Sequence, residues 1–309
     1  MELITPSVDI WEQDTSSPIE GMYAHIARCT RVCYQSESNL KASETPEDFV
    51  NRVILRHDPW NSEANHLAML EHGTVYLCMP GSKDNPDGLK YANNKYSIAN
   101  YAVGAYHITT NFRVIVENGW FEDMEYIVSP SVQHARRVTV SFITNIGVTR
   151  EYNRHRVNSI AEESTRYCNY SKRNDGQLKI GTPAWMQDED CPQEWIRDLN
   201  NQTHLEYATD LVDNDGDVDD IWDEWAWYFY ALQTAEYCYN ALIRKGWKPQ
   251  QAREVLPLAT KSQLIHTAFV DDWKHFFALR AEGVSGPPHP NARFLAKPLK
   301  EEFIKRGLL

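Results

Sequence analysis

Val138-Thr-Val-Ser-Phe-Ile-Thr-Asn-Ile146, continued directly by Gly147-Val-Thr-Arg-Glu-Tyr-Asn-Arg-His-Arg-Val157, is the stretch whose reading decides the fold. The first run is crowded with β-branched and aromatic side chains, which suit a pleated strand, and the second carries helical signals. A strand should therefore feed a helix. Upstream, Val103 to Val116 has the same strand composition, with Glu117-Asn-Gly-Trp120 and Ser129-Pro130 as turns and Pro80 to Gly88 as turn chemistry. Nearer the start, Met22, Ile26 and Cys29 recur at helical spacing, as do Val50, Val53, Ile54 and Leu67 within Phe49 to Leu70. Downstream, Ile221, Trp225, Tyr228, Phe229, Leu232, Tyr239 and Leu242 predict a long helix over 220–245. Arg244 and Lys245 suit its negative end, Gly246 suits a left-handed cap and Pro249 prevents continuation. Shorter helices are expected at Gln250–Leu256, Asp271–Ala281 and Asn291–Lys305, the last two separated by the loop Gly283-Val-Ser-Gly-Pro-Pro-His-Pro290. The expectation is one α+β domain over 1–309, with helices around a modest sheet and an acidic insertion at about 187–224.

At 309 residues, 42% hydrophobic and 24% charged, the chain is an ordinary globular one, which excludes disorder. No run reaches the ~18 to 20 apolar residues of a membrane span, and Met1-Glu-Leu-Ile-Thr-Pro6 lacks the basic flank and apolar run of a signal peptide. A cytoplasmic protein is expected, without membrane partners. Cysteines 29, 33, 78, 168, 191 and 238 form no CxxC pair or Cys/His ladder, so they read as reduced thiols with no metal site. The net charge of −12 is uneven: Gln187 to Glu224 holds fourteen acidic residues against one arginine. Such a segment would repel nucleic acid, and no extended basic face offsets it.

The opposite imbalance lies just upstream, where Arg136, Arg137, Arg150, Arg154, Arg156, Arg166, Lys172 and Arg173 outnumber Glu151, Glu162 and Glu163. If 147–157 is helical, Arg150 and Arg154 stand one turn apart, with His155 and Arg156 rotated by ~100° and ~200° from Arg154. A fan of this kind can clamp two anionic ligands, and the planar guanidinium pairs bidentately with phosphate. The following Glu162-Glu-Ser-Thr-Arg166 offers hydroxyls, backbone N–H groups and another guanidinium. A plainer reading competes: Ser159-Ile-Ala-Glu162 matches a helix capping box, and Arg/Glu pairs are often a solvated face worth ~0.3 to 0.5 kcal/mol each.

A longer pattern shifts the balance. Arg154-His155-Arg156, seven residues, then Ser164-Thr-Arg-Tyr167 resembles the signature of flavin-dependent thymidylate synthases, the ThyX class. Ala252-Arg253-Glu-Val-Leu-Pro257 is similar to a second family element, and Trp273-Lys-His-Phe-Phe-Ala-Leu-Arg280 resembles its helix ending in Leu-Arg. His289-Pro-Asn-Ala-Arg293 is a weaker echo, and Arg31-Val-Cys-Tyr34 and Met69-Leu-Glu-His-Gly73 fall in the family order. Departures stand beside these: Gly73-Thr-Val-Tyr-Leu77 lacks the family's His and Ser/Pro continuation, Glu151 replaces a frequent Gln, Ala161 a polar residue, and His275 an Asn.

The resemblance implies a mostly antiparallel sheet and conversion of dUMP to dTMP, using methylenetetrahydrofolate as one-carbon donor and FAD reduced by NADPH. It implies a homotetramer with active sites shared between subunits. Carried over, Arg154, His155 and Arg156 would contact FAD, joined by Glu162 and by His275 at the adenine. Glu151, Arg154, Glu162, Ser164, Thr165 and Arg166 would hold the phosphate and sugar of dUMP, with Arg253 at the uracil end. Arg280 would be catalytic, favouring the anionic uracil at N3 so that C5 becomes a better nucleophile. Ser164 is read as a binding residue, because no Ser/His/Asp arrangement would activate it.

The alternative from the residues alone is a flavin-free nucleotide-binding protein that keeps the arginine phosphate site. A phosphatase of the Arg-His-Gly type is disfavoured by Arg156 in the glycine's place. Trp222, Trp225 and Trp227 are read as packing residues. Asp213, Asp215, Asp217 and Glu224 have calcium-loop spacing, but Val218 stands where such a loop needs glycine.

Overall fold

The chain enters the fold through β1 (Glu2–Ile4) and β2 (Ser7–Trp11) and turns into α1 (Pro18–Tyr34), with Pro18 in its first turn and Gln35 as its left-handed cap. This structure, a computed structural model, describes residues 1–36, 43–56, 66–187 and 224–309. Nearly all of the acidic 187–224 segment, with its calcium-loop spacing, Cys191 and Trp222, lies outside the described residues. Met22, Ile26 and Cys29 are buried on α1, as their spacing predicts.

The helical pattern over Phe49–Leu70 divides. A capping box of Thr45 and Asp48 starts α2 (Pro46–Val53), and a separate 3₁₀ turn covers Leu67–His72. Next come β3 (Thr74–Pro80), α3 (Pro86–Ala92), β4 (Ile98–Ala102) and β5 (Ala105–Asn111). The strand expected to reach Val116 stops at Asn111, because its side chain accepts the Val114 N–H and caps α4 (Phe112–Asn118). The same device acts again after β6 (Arg137–Asn145), where Asn145 accepts the Val148 N–H and starts α5 (Ile146–Tyr152). The strand-to-helix switch read from the sequence is therefore present, but the helix ends before Arg154.

Two further expectations change. Ser159–Glu162 is β7 and not a capping box, because it pairs with the edge of a strand that the sequence reading missed, β9 (Lys261–Phe269). Between them run β8 (Lys179–Gly181), α6 (Glu224–Arg244) and α7 (Pro249–Ala252), the last continuing as a 3₁₀ turn over Arg253–Val255. After β9 come α8 (Val270–Phe277), a π turn over Ala278–Glu282, and α9 (Pro290–Lys305). The end of α6 follows its sequence signals: Gly246 has φ of 95°, its N–H reaches the Ile243 carbonyl at 3.0 Å, and Trp247 N–H reaches Leu242 at 3.0 Å.

The α+β, mostly antiparallel architecture is borne out, but the described residues form three small sheets in place of one. The central sheet has the order β2-β6-β9-β7, all antiparallel; β3-β5-β4 is a second antiparallel sheet; β1 and β8 form a parallel pair. One face of the central sheet is apolar, where Val138, Val140, Phe142 and Leu264 pack with Trp273, Phe276 and Phe303. Its other face is mixed: Trp11, Ala161 and Ile265 pack with Cys29 and Val32 of α1, while His25 Nε2 meets Thr139 Oγ1 at 2.9 Å, Thr139 meets Thr267 at 2.7 Å, and Thr267 meets His72 Nδ1 at 2.8 Å. Because β9 carries polar side chains on both faces, its alternation is hidden in the sequence. A separate core of Leu178, Ile180, Phe229, Leu232 and Tyr239 fixes α6, with Trp225 stacked on Phe229 at 6.2 Å and Trp227 40% exposed.

Candidate active site

Where β7 ends beside β9, a cavity of about 540 Å³ opens between the start of α5, the loop after β7 and the turn after α7. Glu162, Ser164, Thr165 and Arg253, all expected from the sequence, line it together. Arg150 and Glu163 line it too. Neither was singled out as a site residue, although Arg150 stood in the basic run, one helical turn before Arg154. Arg253 donates toward Thr165 Oγ1 at 3.4 Å and its side chain is 40% exposed, so its charge is open to a ligand. Glu162 is held on both oxygens, by Asn153 Nδ2 at 2.9 Å and Ser262 Oγ at 3.0 Å. Glu163 points inward and pairs with Lys261 Nζ at 2.6 Å. That pair fixes the loop from below, while Ser164 N–H donates to the Cys33 carbonyl at 3.0 Å. The Arg31–Tyr34 element thus reaches the signature loop at the end of α1.

The Arg-His-Arg triplet does not fan from one helix face. It follows α5 in a turn, and its three side chains part company. Arg154 is exposed, with Glu151 at 3.8 Å. His155 turns inward, 5% exposed, with its ring 5.8 Å from His275 and 4.9 Å from Phe276. Arg156 is exposed and faces a different cavity, at the seam with the three-stranded sheet.

Arg280 joins the inward group. Its NH1 binds Glu151 Oε2 at 2.7 Å, its NH2 the Glu151 carbonyl at 2.6 Å, and its Nε donates to His155 Nε2 at 3.1 Å. Accepting at Nε2 requires His155 to be neutral and protonated on Nδ1. Burial, then the charges of Arg280 and His275, push its pKa down to about 4, in agreement. Glu151, His155, His275 and Arg280 are therefore one cluster, and Glu162, Ser164, Thr165 and Arg253 another. None of the first four lines the cavity of the second. Arg166 is exposed, with its guanidinium 5.2 Å from the Tyr167 ring, and lines neither. His72 of the Met69–Gly73 element is wholly buried beneath the central sheet.

The family described as thymidylate synthase complementing protein matches residues 128–306, which contain both clusters. The chain belongs to that family. The match leaves out Arg31–Tyr34 and Met69–Gly73, the two N-terminal echoes. A flavin-dependent thymidylate synthase from Mycobacterium marinum (strain ATCC BAA-535 / M) is 26% identical over 230 residues, 72% of this chain and 71% of its own. Among solved structures, the UMP/dUMP methylase PolB of Streptomyces cacaoi, bound with 5-Br dUMP, is 16% identical, with a TM-score of 0.40 over 99% of this chain and 93% of its own. The whole three-stranded sheet precedes the matched residues.

Proposed function

We propose that this protein is a flavin-dependent thymidylate synthase, converting dUMP to dTMP with methylenetetrahydrofolate as one-carbon donor and NADPH-reduced FAD as reductant. The carrying observation is the cavity that gathers Arg150, Arg253, Ser164, Thr165 and the fixed carboxylate of Glu162 inside the family match. Two guanidiniums and two hydroxyls suit a nucleotide monophosphate, and a carboxylate locked by Asn153 and Ser262 suits a sugar hydroxyl. The residues also fit a flavin dinucleotide, because Arg156 has no ion pair among the described residues and the exposed His275 presents a ring 5.8 Å from that of the buried His155. Bound flavin would supply the hydride; this chain supplies charge, orientation and exclusion of water.

Arg280, held at three atoms, cannot swing freely, so its role is a fixed positive charge toward which an N3 anion of uracil is drawn. Glu151 shares that charge and holds the guanidinium in plane. The division of the signature residues between two clusters supports a site completed by a neighbouring subunit, and hence the homotetramer. The test is an absorbance spectrum of the purified protein, then anaerobic NADPH, then dUMP with methylenetetrahydrofolate. Flavin bands that bleach and recover as dTMP appears bear the reading out. A protein that binds dUMP but ignores added FAD sinks it in favour of nucleotide binding alone.

A further inference from the structure

The wall of the candidate active site is more acidic than a phosphate site should be. Two guanidiniums, those of Arg150 and Arg253, share it with three carboxylates, those of Glu162, Glu163 and Glu254. Arg154 and Arg166 do not line it. A monophosphate dianion entering between these side chains meets a net negative wall, and groups gathered around one cavity act on it within the Debye length of ~8 Å at physiological salt. Glu254 counts least, because its side chain is 74% exposed and stands 3.9 Å from Arg253 Nε. Glu162 keeps its full charge, since its partners Asn153 and Ser262 are neutral. The balance therefore turns on Glu163.

Glu163 is the most enclosed of the three, with its side chain 3% exposed. Its Oε2 meets Lys261 Nζ at 2.6 Å, and its Oε1 accepts from the Tyr170 hydroxyl at 3.3 Å. Burial, and after it the charge of Glu163, push the Tyr170 pKa up, so the phenol keeps the proton that it donates. Lys261 opens β9, stands opposite Asn145 in the sheet register and does not line the cavity. Its ammonium, on a side chain 12% exposed, thus reaches Glu163 from behind the wall. A buried ion pair is a weak source of stability, because desolvation of both charges offsets their attraction. What this pair changes without such an offset is the potential in the cavity, where it cancels one of the negative charges that a phosphate would face.

We propose that Lys261 sets the charge selectivity of this cavity from behind its wall: by neutralising Glu163 it lets a phosphate dianion bind, a positioning role exercised without touching the substrate. This role rests on the reading of the cavity as the dUMP site.

Calorimetric titration of dUMP into the full chain compares wild type, Lys261→Met, Glu163→Gln and the double variant, with a melting curve for each. Both single substitutions break the same ion pair. Were the pair only a brace for the loop, both would weaken dUMP binding, and the double variant would be no better. Charge selectivity requires opposite signs. Lys261→Met leaves the Glu163 carboxylate uncancelled and should weaken dUMP by about tenfold or more at low salt, a deficit that shrinks as ionic strength rises. Glu163→Gln keeps an acceptor for Lys261 and Tyr170 while removing the negative charge, and should bind dUMP at least as tightly as wild type. The double variant, neutral at both positions, should return to within about threefold of wild type. If Lys261→Met does not fold, Glu163→Gln and the double variant decide. Weaker dUMP binding by Glu163→Gln, a double variant more than about tenfold weaker than wild type, or Lys261→Met binding like wild type overturns the proposal. When wild type binds dUMP but the opposite signs are missing, the role of Lys261 falls and the dUMP reading stands. When wild type binds no dUMP, the reading of the cavity falls and takes this role with it. Opposite signs in a protein that ignores FAD leave the role of Lys261 standing while the proposed function fails.

Discussion

Arg253 and Arg280 are the same side chain in two opposite conditions. Arg253 is 40% exposed, 3.4 Å from a hydroxyl and 3.9 Å from Glu254, whereas Arg280 is 12% exposed and bound by a carboxylate, a carbonyl and an imidazole. An arginine whose donors are spare waits for an anion from outside. One whose donors are taken has become part of the framework, and what it offers a ligand is a placed charge. The difference separates recognition from positioning within one family signature, and substitution can test it.

The largest expected effect is on Arg280. Arg280→Ala strands Glu151 and leaves His155 without its donor, so it should lower stability by about 2 to 4 kcal/mol, a melting fall on the order of 5 to 10 °C. Turnover should fall with it, and Arg280→Lys should restore part of the stability but less of the turnover, since the ammonium lacks the fork. A melting curve unchanged by Arg280→Ala would break the comparison. Arg253→Ala should do the converse: no change in melting, and dUMP affinity reduced by about 2 kcal/mol, roughly 30-fold, in a calorimetric titration. Loss of stability without loss of affinity would mean that the two arginines have been assigned the wrong way round.

The third effect is a pH dependence to which the cluster around Arg280 contributes through His155. His155 has its folded pKa depressed from 6.5 to about 4. In that window the unfolded chain binds the proton and the folded chain does not, so stability rises with pH from about 4 to 6.5 and is flat above. His25, depressed to about 4, and His266, to about 3, act in the same direction, so the wild-type slope is a sum. His155→Asn, which keeps an acceptor for Arg280, should flatten the slope of melting stability between pH 5.5 and 4.5 by about 1 kcal/mol per unit. An unchanged slope would show that His155 is already protonated when folded, and so cannot be the acceptor of Arg280.

The legible part of this molecule is what local chemistry specifies. The strand at 137–145, the cap at Gly246, the buried face of α1 and the grouping of Glu162, Ser164, Thr165 and Arg253 were all readable from composition and motif. What escaped depends on partners distant in sequence. β9 is the centre of the main sheet, yet its polar residues on both faces conceal it until β6 and β7 are placed beside it. Asn111 and Asn145 end their strands through one side-chain hydrogen bond each, which composition over a window averages away. The triplet Arg154-His155-Arg156 was found, but its directions were not, because α5 stops at Tyr152 and a turn sends the three side chains to solvent, core and seam. A motif thus identifies the groups before it says where each one points.

Arg166 gives the smallest effect and the finest test of the contrast. It is exposed like Arg253 and has no ion pair among the described residues, but its guanidinium lies 5.2 Å from the Tyr167 ring and it does not line the cavity. A cation stacked on an exposed ring keeps its hydration, so what it contributes to a monophosphate from there is long-range attraction, worth less than ~1 kcal/mol and reduced by salt. Arg166→Ala should therefore weaken dUMP binding by less than about fivefold, with the deficit shrinking as ionic strength rises. If the loss instead matches that of Arg253→Ala and persists at high salt, Arg166 makes a direct phosphate contact in the assembled protein. Spare donors would then identify the recognition arginines of this loop better than their place in the cavity wall of a single chain.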